Sequence, residues 1–451
     1  MRLLPRHEIA ARWRALSFDD RVGMLVATVA IAVAAAVGTS HAYSQPVYGP
    51  IDEVSHTAYA FHVGAFGVPP VLGRDRAFLG RKGVDLGSRD VDIPRPEASS
   101  APIPLGPHGE FGQVEAIQAP LYYYVVAPLT WFGTGDGSVV ALRLAGVLMV
   151  AISVLLAFVA VIELTGDALA GGVAAMVLGT ISGVTDFLSQ VQNDALLLPL
   201  SGAIFWLFSR AIRRKTLTWP LTICCGAIAI TQVVAIPLAA LAVLVAGGLE
   251  LRRNRHGVAV VALKSVVAGL PIFLWIATNH MRYGSLLPHD VSLAPGGLFQ
   301  QNNDQILHLH ELAYPVLNAI IGGAYLYIQA SPYGADYRHL SLLIPLVLIG
   351  TGIVCALRPL RYRQALGYTY VMVGVTIVTI FGVVAASLIG TGGDLAAMQI
   401  HRYYMPTYFA ASCMAGIAGG GVSTRLWVRR AVLVSIPMVQ AYWAINGSTL
   451  T

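Results

Sequence analysis

Charge is what this chain has least of. Only 12% of its 451 residues are Asp, Glu, Lys or Arg, where a soluble chain carries about a quarter. With 56% hydrophobic residues and a mean hydropathy of +0.67, that scarcity excludes a soluble globular protein and points to a polytopic membrane protein. Lysine is nearly missing, found only at Lys82, Lys215 and Lys264, so the net charge of +6 is almost all arginine. The arginines gather in short clusters between hydrophobic runs, which is the pattern of membrane topology and not of a nucleic-acid partner. The four cysteines (Cys224, Cys225, Cys355, Cys413) all lie in apolar runs. They supply neither a disulfide framework nor a metal motif, and say nothing of redox compartment. No internal repeat or inverted symmetry is visible, which weakens a transporter reading.

What is present in quantity is long apolar runs. The first follows Arg2, Arg6, Arg12, Arg14 and Arg21 and spans residues 22–41. It is longer than the core of a signal peptide, so we read it as a retained span with a cytoplasmic N-terminus. Further spans are expected at 138–162, 168–187, 192–209, 258–279, 340–357, 366–390, 403–421 and 429–446. The 218–249 stretch is too long for one crossing of about 20 residues. Gln232 and Pro237 interrupt it, which suggests two short spans in a hairpin or one broken helix. Counting it as a hairpin gives about eleven transmembrane helices. It also puts the clusters at Arg210–Lys215, Arg252–Arg255, Arg358–Arg363 and Arg425–Arg430 on the cytoplasmic side. The expected architecture is an all-α polytopic membrane protein, with 1–451 as one transmembrane domain and no separate soluble domain. Residues 42–137 form a first outer loop and 280–339 a second.

The most concentrated chemistry stands just after the first span, in Pro50-Ile51-Asp52-Glu53-Val54-Ser55-His56. On a helix, Asp52 and Glu53 lie four and three residues from His56 and share its face. Two carboxylates and a histidine at a membrane surface can serve as base, metal ligands or proton carrier. They can equally be the acidic first turn of a solvated helix. Residues 52–67 read as a short amphipathic helix, with Val54, Ala58, Phe61 and Ala65 along one side. Residues 93–107 are too rich in proline for helix or central strand. Pro120 before Leu121-Tyr122-Tyr123-Tyr124 suits a helix at the interface, where tyrosine rings settle.

The motif and its sequels resemble the GT-C superfamily of membrane glycosyltransferases, among them protein O-mannosyltransferases, aminoarabinose transferases and mycobacterial arabinosyltransferases. A carboxylate dyad after the first span is the leading element. In the family's order follow IQAPLYYYVVAPL, Arg143 in ALRLAG, Asn193-Asp194 in SQVQNDALLLP, NHMRYGSLLP at 279–288, and HRYYMP at 401–406. Gln232 stands where members often carry a lysine, and His401 replaces a glycine before Arg402-Tyr403.

That resemblance implies transfer of a sugar from a polyprenyl-phosphate-sugar donor to a glycan, lipid or protein hydroxyl on the outer face of the membrane. The expected setting is the bacterial plasma membrane, its lipids, and cell-envelope glycan assembly. It makes Asp52 the first candidate for the base and Glu53 the second. Arg402 is expected to steady the leaving phosphate, with Arg282 and Arg338 as weaker candidates and Arg143 as an interface anchor. His56, Gln190, Asn193, Asp194, Tyr122 and Tyr403 are expected to contact substrate, though Asn193 and Asp194 also suit a helix cap. Asp52, Glu53 and His56 form a plausible set for a divalent metal; no cofactor is required by the sequence. The competing class is a flippase or transporter of a lipid-linked glycan, which would keep its ionisable groups near the midplane of the spans.

Overall fold

In lipid, an apolar run can satisfy its own backbone groups by forming a helix, and every regular element among the described residues is helical. The computed structural model describes residues 17–45, 53–71, 118–131, 136–181, 184, 188–232, 235–283, 363–376 and 405–421. Helix α1 spans Phe18–Ser44 and starts at Ser17, whose side chain accepts from the Asp20 N–H at 3.1 Å. At 27 residues it reaches about 40 Å. Next come α2 (Glu53–Phe66) and α3 (Leu121–Val126), the latter continuing as a tight turn over Ala127–Trp131. The long α4 (Asp136–Thr165) is followed by α5 (Ala168–Gly179) and α6 (Asp194–Arg214). The remainder are α7 (Trp219–Ala229), α8 (Ile236–Arg253), α9 (Val258–Tyr283), α10 (363–376) and α11 (Met405–Gly421).

Helices α1, α4, α6 and α9 are long and apolar enough to cross a membrane, and the chain is a multi-pass membrane protein. The spans expected at 340–357 and 429–446, and at 366–390 beyond residue 376, lie outside the described residues. So does the second outer loop beyond residue 283. The third expected span is shorter than 168–187, because α5 stops at Gly179. There the Thr180 hydroxyl turns back to the Met176 carbonyl at 2.7 Å.

The 218–249 stretch is a hairpin of two helices, the first ending at Ala229 and the second starting at Ile236. Its two ends come back together: the Leu217 N–H donates to Glu250 at 2.7 Å, and Arg253 donates to the Arg214 carbonyl at 2.9 Å. Lys264 on α9 ties the same corner by donating to Glu250 and to the Leu217 carbonyl.

Small residues let the central helices approach closely, as membrane helices do where no water drives them together. α5 packs against α1, α4 and α11. A Cβ on Gly172 would stand 2.6 Å from the Gly23 carbonyl oxygen, so only glycine fits where α1 crosses α5.

This packing sorts the described helix ends chemically. One end of the bundle gathers the close of α4, α6 and α8 with the start of α7, and carries Arg210, Arg213, Arg214, Arg252 and Arg253. The opposite end gathers the close of α1, the starts of α2, α4 and α6, and the α7–α8 break. That second end holds Glu53, Asp194 and the candidate site.

Candidate functional site

The site is assembled around Arg143, the largest fully buried side chain among the described residues. A buried guanidinium loses several kcal/mol of hydration, so it persists only when its donors are saturated. Here Nε and Nη2 form a fork onto Glu53, at 2.8 Å to Oε1 and 2.6 Å to Oε2. Both side chains are 0% exposed. Nη1 donates to the Ala42 carbonyl at 3.0 Å and the Gln45 carbonyl at 2.9 Å. Those carbonyls belong to the C-terminal end of α1, where helix carbonyls lack partners and a cation is favoured. Glu53 opens α2, where an anion is favoured. One arginine therefore holds both ends of the stretch between Gln45 and Glu53, and Asp52 is the residue next to its carboxylate partner.

The fourth member of this node is the turn before α6. The Val191 N–H donates to Glu53 Oε1 at 3.1 Å. The turn can come that close because α4 offers no side chain at Gly146, where a Cβ would collide with the Leu188 carbonyl oxygen. Around it lies a ring of side-chain amides. Asn193 Nδ2 donates to Gln118 Oε1 at 3.2 Å, and Gln192 Nε2 to Gln190 Oε1 at 2.9 Å. Gln232, from the α7–α8 break, donates to Asp194 Oδ1 at 3.0 Å. The Leu121 N–H reaches the Ile230 carbonyl at 3.4 Å, setting the start of α3 against that same break. His56 Nδ1 is 2.7 Å from the Tyr123 hydroxyl, and Tyr59 stacks on Tyr123 with ring centroids 3.6 Å apart.

Several sequence expectations change on this geometry. Helix α2 is not amphipathic: residues 56 to 63 are all buried, so polar His56, Thr57 and His62 are enclosed with the apolar side chains. Tyr122 and Tyr123 are core residues, and only Tyr124 keeps the exposed position expected of an interfacial ring. Arg143 is no interface anchor, since it has no exposed surface. Asn193 stands at the N-cap of α6 but makes no capping hydrogen bond; its amide points to Gln118. Arg282 lies exposed in the last turn of α9, apart from the node. Glu53 does not present a free carboxylate: both its oxygens already accept N–H groups. A cation bound there would face the Arg143 guanidinium, so the Asp52/Glu53/His56 set does not fit a metal through Glu53. Among the described residues no group of three His, Cys, Asp or Glu side chains could hold one. Asp52, Arg338, Arg402 and Tyr403 lie outside the described residues.

The structure brings together Glu53, His56, Tyr122, Gln190, Asn193 and Asp194 from the expected set. It adds Arg143, Gln118, Gln192, Gln232 and Tyr123. The signal for Arg143 was in the sequence, as an arginine seven residues into an otherwise apolar helix, where it needs a partner. Burial raises the Tyr122 phenol well above the usual tyrosine range, with the Glu53 and Asp194 carboxylates adding to the effect.

No protein-family model and no curated protein matches this chain. Two solved structures share its fold. The crystal structure of ArnT from Cupriavidus metallidurans in the apo state superposes with a TM-score of 0.50, and that of the same protein bound to undecaprenyl phosphate with 0.51. Identity is 16% in each case, over 92% of this chain and 63% of the ArnT chain. The present chain thus spans less than two thirds of the length of those structures. It shares the helical fold of those structures.

Proposed function

We propose that this chain is a GT-C-type membrane glycosyltransferase, which moves a sugar from a polyprenyl-phosphate donor to a hydroxyl acceptor at the outer face in cell-envelope glycan assembly. The observation that carries the reading is the buried Glu53–Arg143 node, which fixes both ends of the stretch containing Asp52. Its setting supports the same reading, at the arginine-poor end of the bundle that the positive-inside rule assigns to the outer side. The fold is that of a protein solved with undecaprenyl phosphate bound.

In this mechanism Asp52 accepts the proton of the acceptor hydroxyl as the hydroxyl oxygen attacks the anomeric carbon of the donor. The bond from that carbon to the phosphate oxygen breaks, and its electron pair leaves with the polyprenyl phosphate. Arg402, three residues before α11, offers a planar fork to the growing phosphate charge. Glu53 is a positioning residue and not the base, because its carboxylate is already neutralised by Arg143. No step is drawn through a metal. The transporter alternative is disfavoured by where the acids stand: Glu53, Glu163, Asp194 and Glu250 all sit in the first or last turns of their helices, not at midspan.

The test is transfer by the purified chain from a panel of polyprenyl-phosphate sugars. Asp52→Asn keeps the shape of the side chain but cannot take a proton, so transfer should fall at least ~10²-fold with donor binding retained. Were Asp52 only a helix cap, asparagine would serve equally well. Wild-type protein that transfers from no donor, or a fully active Asp52→Asn variant, overturns the mechanism.

A further inference from the structure

The arginine-rich end of the bundle carries more positive charge than its acids match. Glu163 accepts from Arg213 and lies 3.7 Å from Arg210, while Glu250 is taken by Lys264 and the Leu217 N–H. Arg214, Lys215, Arg252 and Arg253 are all exposed, and among the described residues none of the four meets a carboxylate. Helix C-termini favour cations, which accounts for Arg214 closing α6 and for Arg252 and Arg253 closing α8. It does not account for the two ends lying against each other. Arg253 Nη1 donates to the Arg214 carbonyl at 2.9 Å, and this draws together like charges that repel.

Lys215 adds strain to that repulsion. It closes α6 in a Schellman turn, with the Thr216 N–H on the Ala211 carbonyl at 3.1 Å and Lys215 itself at φ 52°, ψ 48°. Glycine is the usual residue there, because a Cβ crowds the backbone in the left-handed region. Among the described residues, Lys215 is the only one other than glycine with a positive φ. Turn geometry favours glycine, so what the exposed lysine contributes is its charge. Topology asks only for basic residues in the loop, not for a cluster built on a strained turn. At the same corner, Trp219 opens α7 and Val258 opens α9, and they are 44% and 58% exposed. A soluble acidic partner would match the cations but not these apolar side chains. A phospholipid brings an anionic headgroup and acyl chains to one boundary. We infer that the corner where α6 and α8 end binds the phosphate headgroup of an anionic phospholipid, in the leaflet at the arginine-rich side of the membrane. This site depends on the membrane fold of the chain and not on sugar transfer.

The experiment titrates phospholipid into the full chain in detergent, read by native mass spectrometry and by thermal unfolding. The probes are phosphatidylglycerol, zwitterionic phosphatidylcholine and inorganic phosphate. Wild type should bind phosphatidylglycerol more tightly than phosphatidylcholine and gain Tm from it, with no gain from inorganic phosphate at the same concentration. Lys215→Gly relieves the left-handed turn, so its lipid-free Tm should be unchanged or raised. Its affinity for phosphatidylglycerol should still fall about fivefold, as should that of Arg252→Gln, which is the size of one juxtamembrane cation's attraction to an anionic surface. Together the two substitutions should weaken that binding about thirtyfold and leave phosphatidylcholine binding unchanged. Equal binding of the two lipids by wild type overturns the inference, and so does wild-type affinity of the double variant for phosphatidylglycerol. Equal stabilisation by inorganic phosphate also overturns it, by marking a site for soluble anions. If the Lys215→Gly protein fails to fold, Arg252→Gln decides alone: a selective loss of phosphatidylglycerol supports the site, and an undiminished affinity overturns it.

Discussion

Helix α4 carries an ion pair near each of its ends. Near the start, Arg143 meets Glu53 at 2.6 Å with both side chains fully buried. Near the close, Glu163 meets Arg213 at 3.2 Å and Arg210 at 3.7 Å, with those arginines 61% and 32% exposed. The groups are the same and the surroundings are opposite. In water the attraction between such charges is about 1 kcal/mol at 4 Å, and salt screens it further. A buried pair is strong only in the sense that removing one member strands the other. Arg143 is accordingly saturated by carbonyls from α1 as well as by Glu53, while Arg213, among the described residues, adds only the Glu163 backbone carbonyl at 2.6 Å. The buried pair fixes geometry around a candidate active site. The exposed pair sits at the arginine-rich end and leaves its charges available to the membrane surface.

The largest expected effect follows from breaking the buried pair. Arg143→Met leaves the Glu53 carboxylate buried without its cation and should destabilise the protein by about 3–5 kcal/mol, measured by denaturant or thermal unfolding. Glu53→Leu should cost a similar amount by stranding Arg143. Combining the two removes both charges, so the double variant should recover much of the stability. It should not recover transfer, because nothing then fixes the stretch that carries Asp52. A double variant with wild-type transfer would reduce the node to a packing device.

Much of this was legible in the sequence. Apolar run lengths gave the long helices to within a few residues at most ends, and Gln232 with Pro237 marked the broken hairpin. The acidic motif marked the end of the bundle where Glu53 meets Arg143 and Asp194 meets Gln232. What the sequence hid were pairings set by tertiary approach. The position of Arg143 inside an apolar run signals that it needs a partner, but nothing local names that partner; it is 90 residues away and reaches Arg143 only because α1 and α2 fold back together. The burial of α2 was hidden for a related reason: a helix enclosed on nearly all sides needs no hydrophobic period, so the stripe of Val54, Ala58, Phe61 and Ala65 was misleading. The closing of the 188–193 turn onto Gly146 is likewise a contact between elements, signalled in the sequence only by one glycine among many.

A pair of intermediate exposure sharpens the comparison. Lys264 and Glu250 meet at 3.2 Å with side chains 7% and 16% exposed, and Lys264 also donates to the Leu217 carbonyl. Lys264→Met should destabilise by about 1–3 kcal/mol through the partners it leaves short of a donor. The loss should be felt in the α7–α8 hairpin, read as faster amide exchange near residue 217. Transfer should change little, since this corner lies at the end of the bundle away from Glu53. A loss of transfer out of proportion to the stability change would mean that the hairpin relays to Gln232 and Asp194.

The smallest expected effect is at Glu163. Glu163→Gln removes the acid but leaves the backbone carbonyl that Arg213 already uses, so that arginine keeps its better-placed partner. Arg210 keeps its contact with the Trp206 ring, 5.4 Å from the centroid. The stability change should stay below about 1 kcal/mol and shrink as salt is raised from 0.05 to 0.5 M, values chosen to bracket a Debye length of about 10 Å at 0.1 M. Orientation should also hold, because lysine and arginine carry the topological signal and acids contribute little. Unfolding measured across that salt range checks this directly. A salt-independent loss comparable to that of Arg143→Met would show that the exposed pair is part of the same buried framework, and the contrast between the two ends of α4 would fail.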